Sequence, residues 1–188
     1  NAHMVAAVAG GAMHDYRADM KKAESVPGVL GATPFIYTEV MLSSPRGVKG
    51  VVLRGIDPAS AGKVLALPGE MVAGNLADLN NTSGAFPGII VGRELSDRLG
   101  LGLGDVLNLM SPAGKESAAG FTPKVKSFVV RGLFKTGMYE YDSTLAYVSM
   151  AAAQDLLGFK QDIATGLELK VADVDGVTAL APQVREAL

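Results

Sequence analysis

Apolar side chains recur along this chain with two alternating periods. Met13, Tyr16, Met20 and Ala23 return at steps of three and four, one face of a helix that Pro27 stops. On either side the chemistry is that of strands. Met4 to Val8 predicts a short first strand ended by Gly10-Gly11, and Gly31 to Leu42 and Gly50 to Ile56 are rich in β-branched and aromatic residues. Between the last two, "SSPRGV" supplies turn residues, so an antiparallel hairpin is expected. The opening third predicts β-α-β-β.

Asp57 to Pro87 is less regular, with a helix in its middle and "NNTSGAFPG" as a loop. Ile89 to Val91 predicts a buried strand. Arg93 to Leu99 follows as a helix, with Leu95 and Leu99 four apart and Gly100 where a left-handed cap is wanted. Gly104-Asp105 turns the chain into a strand from Val106 to Met110, and a second strand runs from Val125 to Phe134. "KTGMYEYDS" predicts a loop before a strand from Thr144 to Val148, and Ser149 is placed to cap a helix that Gly158 closes. The end reads as a strand, Gly166 to Val171, then a helix on Val177, Leu180, Val184 and Leu188 that Pro182 kinks or divides. Half-units at both ends flank a β-rich middle, which predicts an α+β fold of two subdomains, the first made from both chain ends.

Composition narrows the function. Of 188 residues 48% are apolar, enough for a real core, and 17 basic residues balance 19 acidic ones, so nothing points to nucleic acid or to an anionic surface. Cysteine is absent, which excludes disulfides, thiolate catalysis and cysteine zinc sites together. No apolar run reaches the length of a membrane span, and Met4 to Ala9 is too short for the apolar region of a signal peptide. Asn1-Ala2-His3-Met4 resembles a cleaved tag, and the closing helix lacks the strand of a complete unit; a piece of a longer protein is expected.

Candidate chemistry is sparse. His14 sits beside Asp15 at a helix start, a place for a solvated or capping residue, and His3 lies in the tag-like segment. "GLGLGD" follows a helix and precedes a strand, the reverse of the order that sets a helix N-terminus on phosphate, so it is a turn. In "GMYEYDS", Tyr139 and Tyr141 alternate with Glu140 and Asp142. Extended, that places two rings on one face and two carboxylates on the other, which serves either sugar binding or a core edge with solvated acids. "GRELSDR" is not a nucleophile elbow. The expectation is a protein without catalysis, cofactor or metal.

One segment resists dismissal. About a dozen residues join the strands at Met110 and Val125, where hairpins usually close with two to five. Pro112 and Pro123 stiffen the base of this finger, Phe121 adds an unforced apolar ring, and Lys124 and Lys126, two apart, face one side of the sheet, with Asn108 on the incoming strand. An apolar tip above a basic base suits a partner protein with a hydrophobic groove and an acidic rim.

The phrases "GATPFIYTEVML", "GVVLRGIDP", "GIIVGRELSDRLGLGLGDVLNLMSP" and "GMYEYDSTLAYVSMAAAQDLLG" resemble, in order from about residue 13 to 171, the extracytoplasmic domain of LolC/LolE-type permeases of lipoprotein-releasing ABC transporters, related to MacB and FtsX. The resemblance implies a MacB-like periplasmic domain: a porter-like β-α-β subdomain, here 1–70 with 162–188, interrupted by a β-rich Sabre-like subdomain, here 71–161. It implies an inner-membrane protein whose domain faces the periplasm, and a hook hairpin that docks a LolA-like carrier receiving lipoproteins extracted from the inner membrane. A separate cytoplasmic ATPase and a second permease copy complete the assembly, and there is no nucleic acid. The hook falls on Pro112, Ala113, Gly114, Lys115, Glu116, Ser117, Ala118, Ala119, Gly120, Phe121, Thr122 and Pro123, with Phe121 as its apolar contact. Its pad falls on Asn108, Val125 and Lys126, beside Lys124. Asn108 stands where the family has a basic pad residue and Val125 where it has a polar one. Two other functions remain open: a MacB-like exporter domain engaging an adaptor, and a small-molecule-binding β-barrel around Tyr139 to Asp142.

Overall fold

A computed structural model of the chain describes residues 4–7, 11–81, 84–117, 120–172 and 177–188, with side chains for all of these but 113–117, 121–122 and 177–179. The strands are β1 (Met4–Ala7), β2 (Val29–Ser44), β3 (Gly47–Ile56), β4 (Met71–Ala73), β5 (Gly88–Gly92), β6 (Val106–Ser117), β7 (Gly120–Phe134), β8 (Leu145–Ser149) and β9 (Gly166–Val171). The helices are α1 (Tyr16–Glu24), α2 (Pro58–Val64), α3 (Leu67–Glu70), α4 (Arg93–Leu99), α5 (Tyr139–Thr144), α6 (Met150–Leu157) and α7 (Val177–Ala187), with a 3-10 turn at Leu76–Asn80. The expected α+β class holds.

Local chemistry explains most boundaries. The β2–β3 hairpin is paired out to Ser44 and Gly47, leaving only Pro45 and Arg46 at the turn. Asp57 starts α2 by accepting from the Ala59 N–H, and Pro58 fits the first helical position because its missing N–H costs nothing there. Gly100 closes α4 at φ 62°, ψ 39°, and Gly158 closes α6 at φ 74°, ψ 23°, left-handed caps that side chains rarely adopt. Ser149 Oγ accepts from the Ala152 N–H at 3.1 Å and begins α6. α7 runs undivided from Val177 to Ala187 with Pro182 inside it, where the sequence predicts a kink or a break.

Six strands close into a ring. β2 pairs with β3, β3 with β8, β8 with β5, β5 with β7, β7 with β6, and β6 returns to β2 through Met41–Met110, Leu42–Leu109 and Ser43–Asn108. The β3–β8 and β5–β7 pairs are parallel, the others antiparallel. β9 joins the first half of β2 and carries β1 on its far edge, while β4 lies on the end of β7. β2 therefore belongs both to the ring and to the sheet built from the chain ends.

Strand alternation sorts the side chains into two cores. Leu42, Leu53, Leu107, Leu109, Phe128 and Val148 fill the ring, with Leu95 of α4 and Leu156 of α6 in the same buried cluster. On the outer face, Ile56, Ile90, Phe134 and Tyr147 meet Ala61, Leu67, Leu76 and Leu79 from α2, α3 and the 3-10 turn. Each fully buried Leu or Phe contributes on the order of 2 kcal/mol, and many such contacts hold the ring. Gly92 ends β5 against the Asp142 backbone; a Cβ there would lie 2.2 Å from that carbonyl oxygen, so only glycine fits.

Away from the ring, Asp162 gathers α1 and α6. Its Oδ1 accepts from Tyr16 Oη and from Gln154 Nε2, both at 2.7 Å, and Arg17 pairs with Oδ2. Partial burial pushes the Asp162 carboxyl up, but the donors from Tyr16, Arg17 and Gln154 outweigh it and hold the group below its ordinary value. A carboxyl depressed in the folded state stabilises above its unfolded pKa and loses that contribution as pH falls through the folded one. Asp162→Asn is thus expected to lower stability near pH 7 and by progressively less below about pH 4. Urea midpoints across this range check it; a constant difference contradicts it.

Candidate partner-docking hairpin

The finger is strand, not loop. β6 continues to Ser117 and β7 begins at Gly120, with Ser117–Gly120, Glu116–Phe121 and Lys115–Thr122 paired. "AGKESAAG" carries little strand propensity, and its pairing is imposed by the long arms on either side. Between Ser111–Lys124 and Lys115–Thr122 the register shifts, because β6 has three residues, 112–114, where β7 has only Pro123. Pro112 and Pro123 both fall in this interrupted stretch, where neither missing N–H breaks a ladder. Among the described residues no third strand pairs with the hairpin beyond Met110 and Val125. From Ser111 to Ser117 the arm spans about 20 Å at 3.3 Å per residue. Ala118 and Ala119 lie outside the described residues, as do the side chains of Ala113, Lys115, Glu116, Ser117, Phe121 and Thr122.

At the base, the two faces of the hairpin differ. Ser111, Leu109 and Phe128 point inward and are buried. Lys124 and Lys126 share that inward side and reach α6, where Asp155 meets both: Lys124 Nζ lies 3.8 Å from Oδ1 and Lys126 Nζ 3.4 Å from Oδ2. Lys124 also donates to the Asp155 backbone oxygen at 2.5 Å. Val125 and Asn108 take the other face. Asn108 Oδ1 accepts from Ser127 Oγ at 2.6 Å, and Val125 is half exposed opposite Met110, which is itself opposite Met41. The pad residues named from the sequence are therefore neighbours in register but divided between faces. An open apolar groove of about 770 Å³ adjoins them, walled by Met41, Val52, Met110, Pro112 and Pro123. Asp155, which sequence reasoning missed, carries a weak signal: an acid in the last turn of a helix otherwise free of charge.

The tyrosine-acid segment is built differently from its expected alternation. Tyr139–Thr144 is the helix α5, and Asp142 is buried at 3% exposure while Tyr139 and Tyr141 are about half exposed. Asp142 Oδ1 accepts from the Thr136 N–H and Oγ, both at 2.7 Å, and Oδ2 from the Gly137 N–H at 3.1 Å. The acid expected in solvent instead ties down its own loop. The cleft beside it, about 660 Å³ and lined by Tyr37, Arg54, Met138 and Tyr141, opens to solvent. Within it Arg54 pairs with Glu168 and stacks over Phe35 and Tyr147, at 5.2 and 5.8 Å from the ring centres. His14 is exposed, and no metal-holding group of acids and histidines occurs among the described residues.

No family model matches the chain. Curated relatives do. Over 166 residues, 88% of the chain, it is 36% identical to the "Lipoprotein-releasing system transmembrane protein LolC" of Neisseria meningitidis serogroup B, and over 178 residues, 93% of the chain, 33% identical to the LolC of Xylella fastidiosa strain Temecula1. The chain is thus similar to LolC proteins along most of its own length. It spans about two fifths of the length of these relatives, 39% and 41%. Its fold is shared with solved structures at low identity. The periplasmic region of MacB from Actinobacillus actinomycetemcomitans superposes with TM-score 0.59 at 14% identity, covering 93% of this chain and 72% of that one. The extracellular domain of the ABC-type transporter YknZ from Gram-positive bacteria gives 0.58 at 13%, covering 94% and 84%. The chain thus has a MacB-like fold, and its described helices include none long and apolar enough to cross a membrane.

Removing the Asp142 carboxylate orphans three donors. Asp142→Ala is expected to cost about 1–3 kcal/mol in urea unfolding, against under about 0.5 kcal/mol for the exposed Tyr141→Ala. Equal losses would contradict the loop-tying role.

Proposed function

We propose that the chain is the periplasmic domain of the permease subunit of a lipoprotein-releasing ABC transporter in the bacterial inner membrane. In this reading the hairpin Pro112 to Pro123 docks a LolA-like carrier, which receives lipoproteins extracted from that membrane. Identity to LolC proteins above 30% along nine tenths of the chain supports the class. The observation that carries the docking reading is the two-stranded arm, its ladder interrupted at the two prolines and its root in a closed ring.

The domain makes and breaks no bonds in this account. ATP is hydrolysed on a cytoplasmic subunit, and the resulting motion reaches the domain through segments outside this chain that it shares with a second permease copy. The long β2 strand, common to the ring and to the sheet of the chain ends, is suited to carry displacement between a porter-like half (1–70 with 162–188) and an inserted half (71–161). Docking uses an apolar contact at Phe121 and the surface at the hairpin base. The MacB-like alternative rests on the fold alone, at 14% identity, and predicts binding to an adaptor protein and indifference to the carrier.

Deleting Ala113 to Thr122 is expected to abolish capture of a purified LolA-type carrier while the circular dichroism spectrum is retained. Phe121→Ala is expected to weaken capture about tenfold, and Lys115→Ala by less than about threefold, since a truncated apolar anchor costs more than a rim charge. Undiminished capture by the deletion variant would end the docking reading.

A further inference from the structure

Lys124 and Lys126 share one carboxylate, and they share it unequally. Lys124 is held twice, at 3.8 Å by Asp155 Oδ1 and at 2.5 Å by the Asp155 backbone oxygen, a carbonyl of the last turn of α6 where a cation is favoured. Lys126 is held once, by Oδ2 at 3.4 Å. The same helix end that favours the lysines disfavours the Asp155 carboxylate, so its placement there depends on them. All three side chains reach solvent: those of Lys124, Lys126 and Asp155 are 34%, 42% and 61% exposed. Exposed pairs of this kind contribute little, so Lys126 can trade one carboxylate for another at almost no cost.

We propose that Asp155 stands in for a carboxylate of the docking partner: on binding, Lys126 leaves Asp155 for an acidic group on the partner's rim, while Lys124 stays anchored to the end of α6. The inference rests on the docking reading and adds to it an internal competitor, Asp155, that sets affinity. A protein carboxylate fits better than an anionic lipid surface, because a single cation is exchangeable and the chain's net charge is −2.

Binding of a purified LolA-type carrier to the 188-residue chain, measured by calorimetry for the unaltered chain, Asp155→Asn, Lys126→Gln and the double variant, tests this. Asp155→Asn is expected to tighten binding about two- to fivefold, the range of one exposed ion pair, and to change it less than about 1.5-fold once Lys126 is Gln. Asp155→Ser, a second variant at the same exposed position, is expected to behave as Asp155→Asn does, and thermal unfolding confirms that each chain is folded. Weaker binding by both Asp155 variants makes the residue a strut of the hairpin and overturns the exchange. So does equal tightening with and without Lys126, which marks a general field effect, or tighter binding to phosphatidylglycerol vesicles than to the carrier. No binding by the unaltered chain removes the docking reading and this inference with it.

Discussion

Three residue pairs between β2 and β6 decide what kind of object this chain is. With them, six strands form a ring and the β6–β7 arm leaves it from a fixed root. Without them, β6 would hang from β7 alone, an exposed hairpin of the kind that is marginal in water. Leu42 and Leu109, fully buried and paired across this seam, supply the apolar contact that holds it shut. β2 can serve two sheets because it is sixteen residues long: its opening residues meet β9, its closing ones meet β6, and β3 accompanies the second half.

From that root the arm's character follows. Each proline sits where the ladder is already interrupted, so its missing N–H removes no ladder bond. Alternation then gives its base an apolar face, with Met110 and Val125, and a cationic one whose charge is partly spent on Asp155. The one deeply buried acid of the suggestive α5 segment, Asp142, is held by three donors of its own loop. What the site offers is shape and surface, the currency of recognition.

Much of this was legible in the sequence where local chemistry decides structure. Ser149 and Gly158 bracket α6, Gly100 closes α4, and β9 has the expected bounds of Gly166 to Val171. The finger's position between two prolines was legible too, but its strands were not, since small residues such as Ala113 and Gly114 carry no alternation to read. "KTGMYEYDS" reads as a loop because its alternating rings and acids show no helical period, whereas the Asp142 N–H bonds the Met138 carbonyl in a turn of helix and the Asp142 carboxylate ties down Thr136 and Gly137. Ring closure left no local mark at all: Met41 to Ser43 read as ordinary strand residues, and their pairing with a segment more than sixty positions away is a property of the assembled fold.

Amide hydrogen exchange on the chain, alone and with a LolA-type carrier, addresses the central claim most directly. A rooted docking arm predicts slow exchange at Met41 to Ser43 and Asn108 to Met110 in both states, and added protection on binding confined to Ser111–Ser117 and Gly120–Lys126. Fast exchange at the β2–β6 seam, or protection that appears on α5 or α1 and leaves the hairpin unchanged, would contradict it.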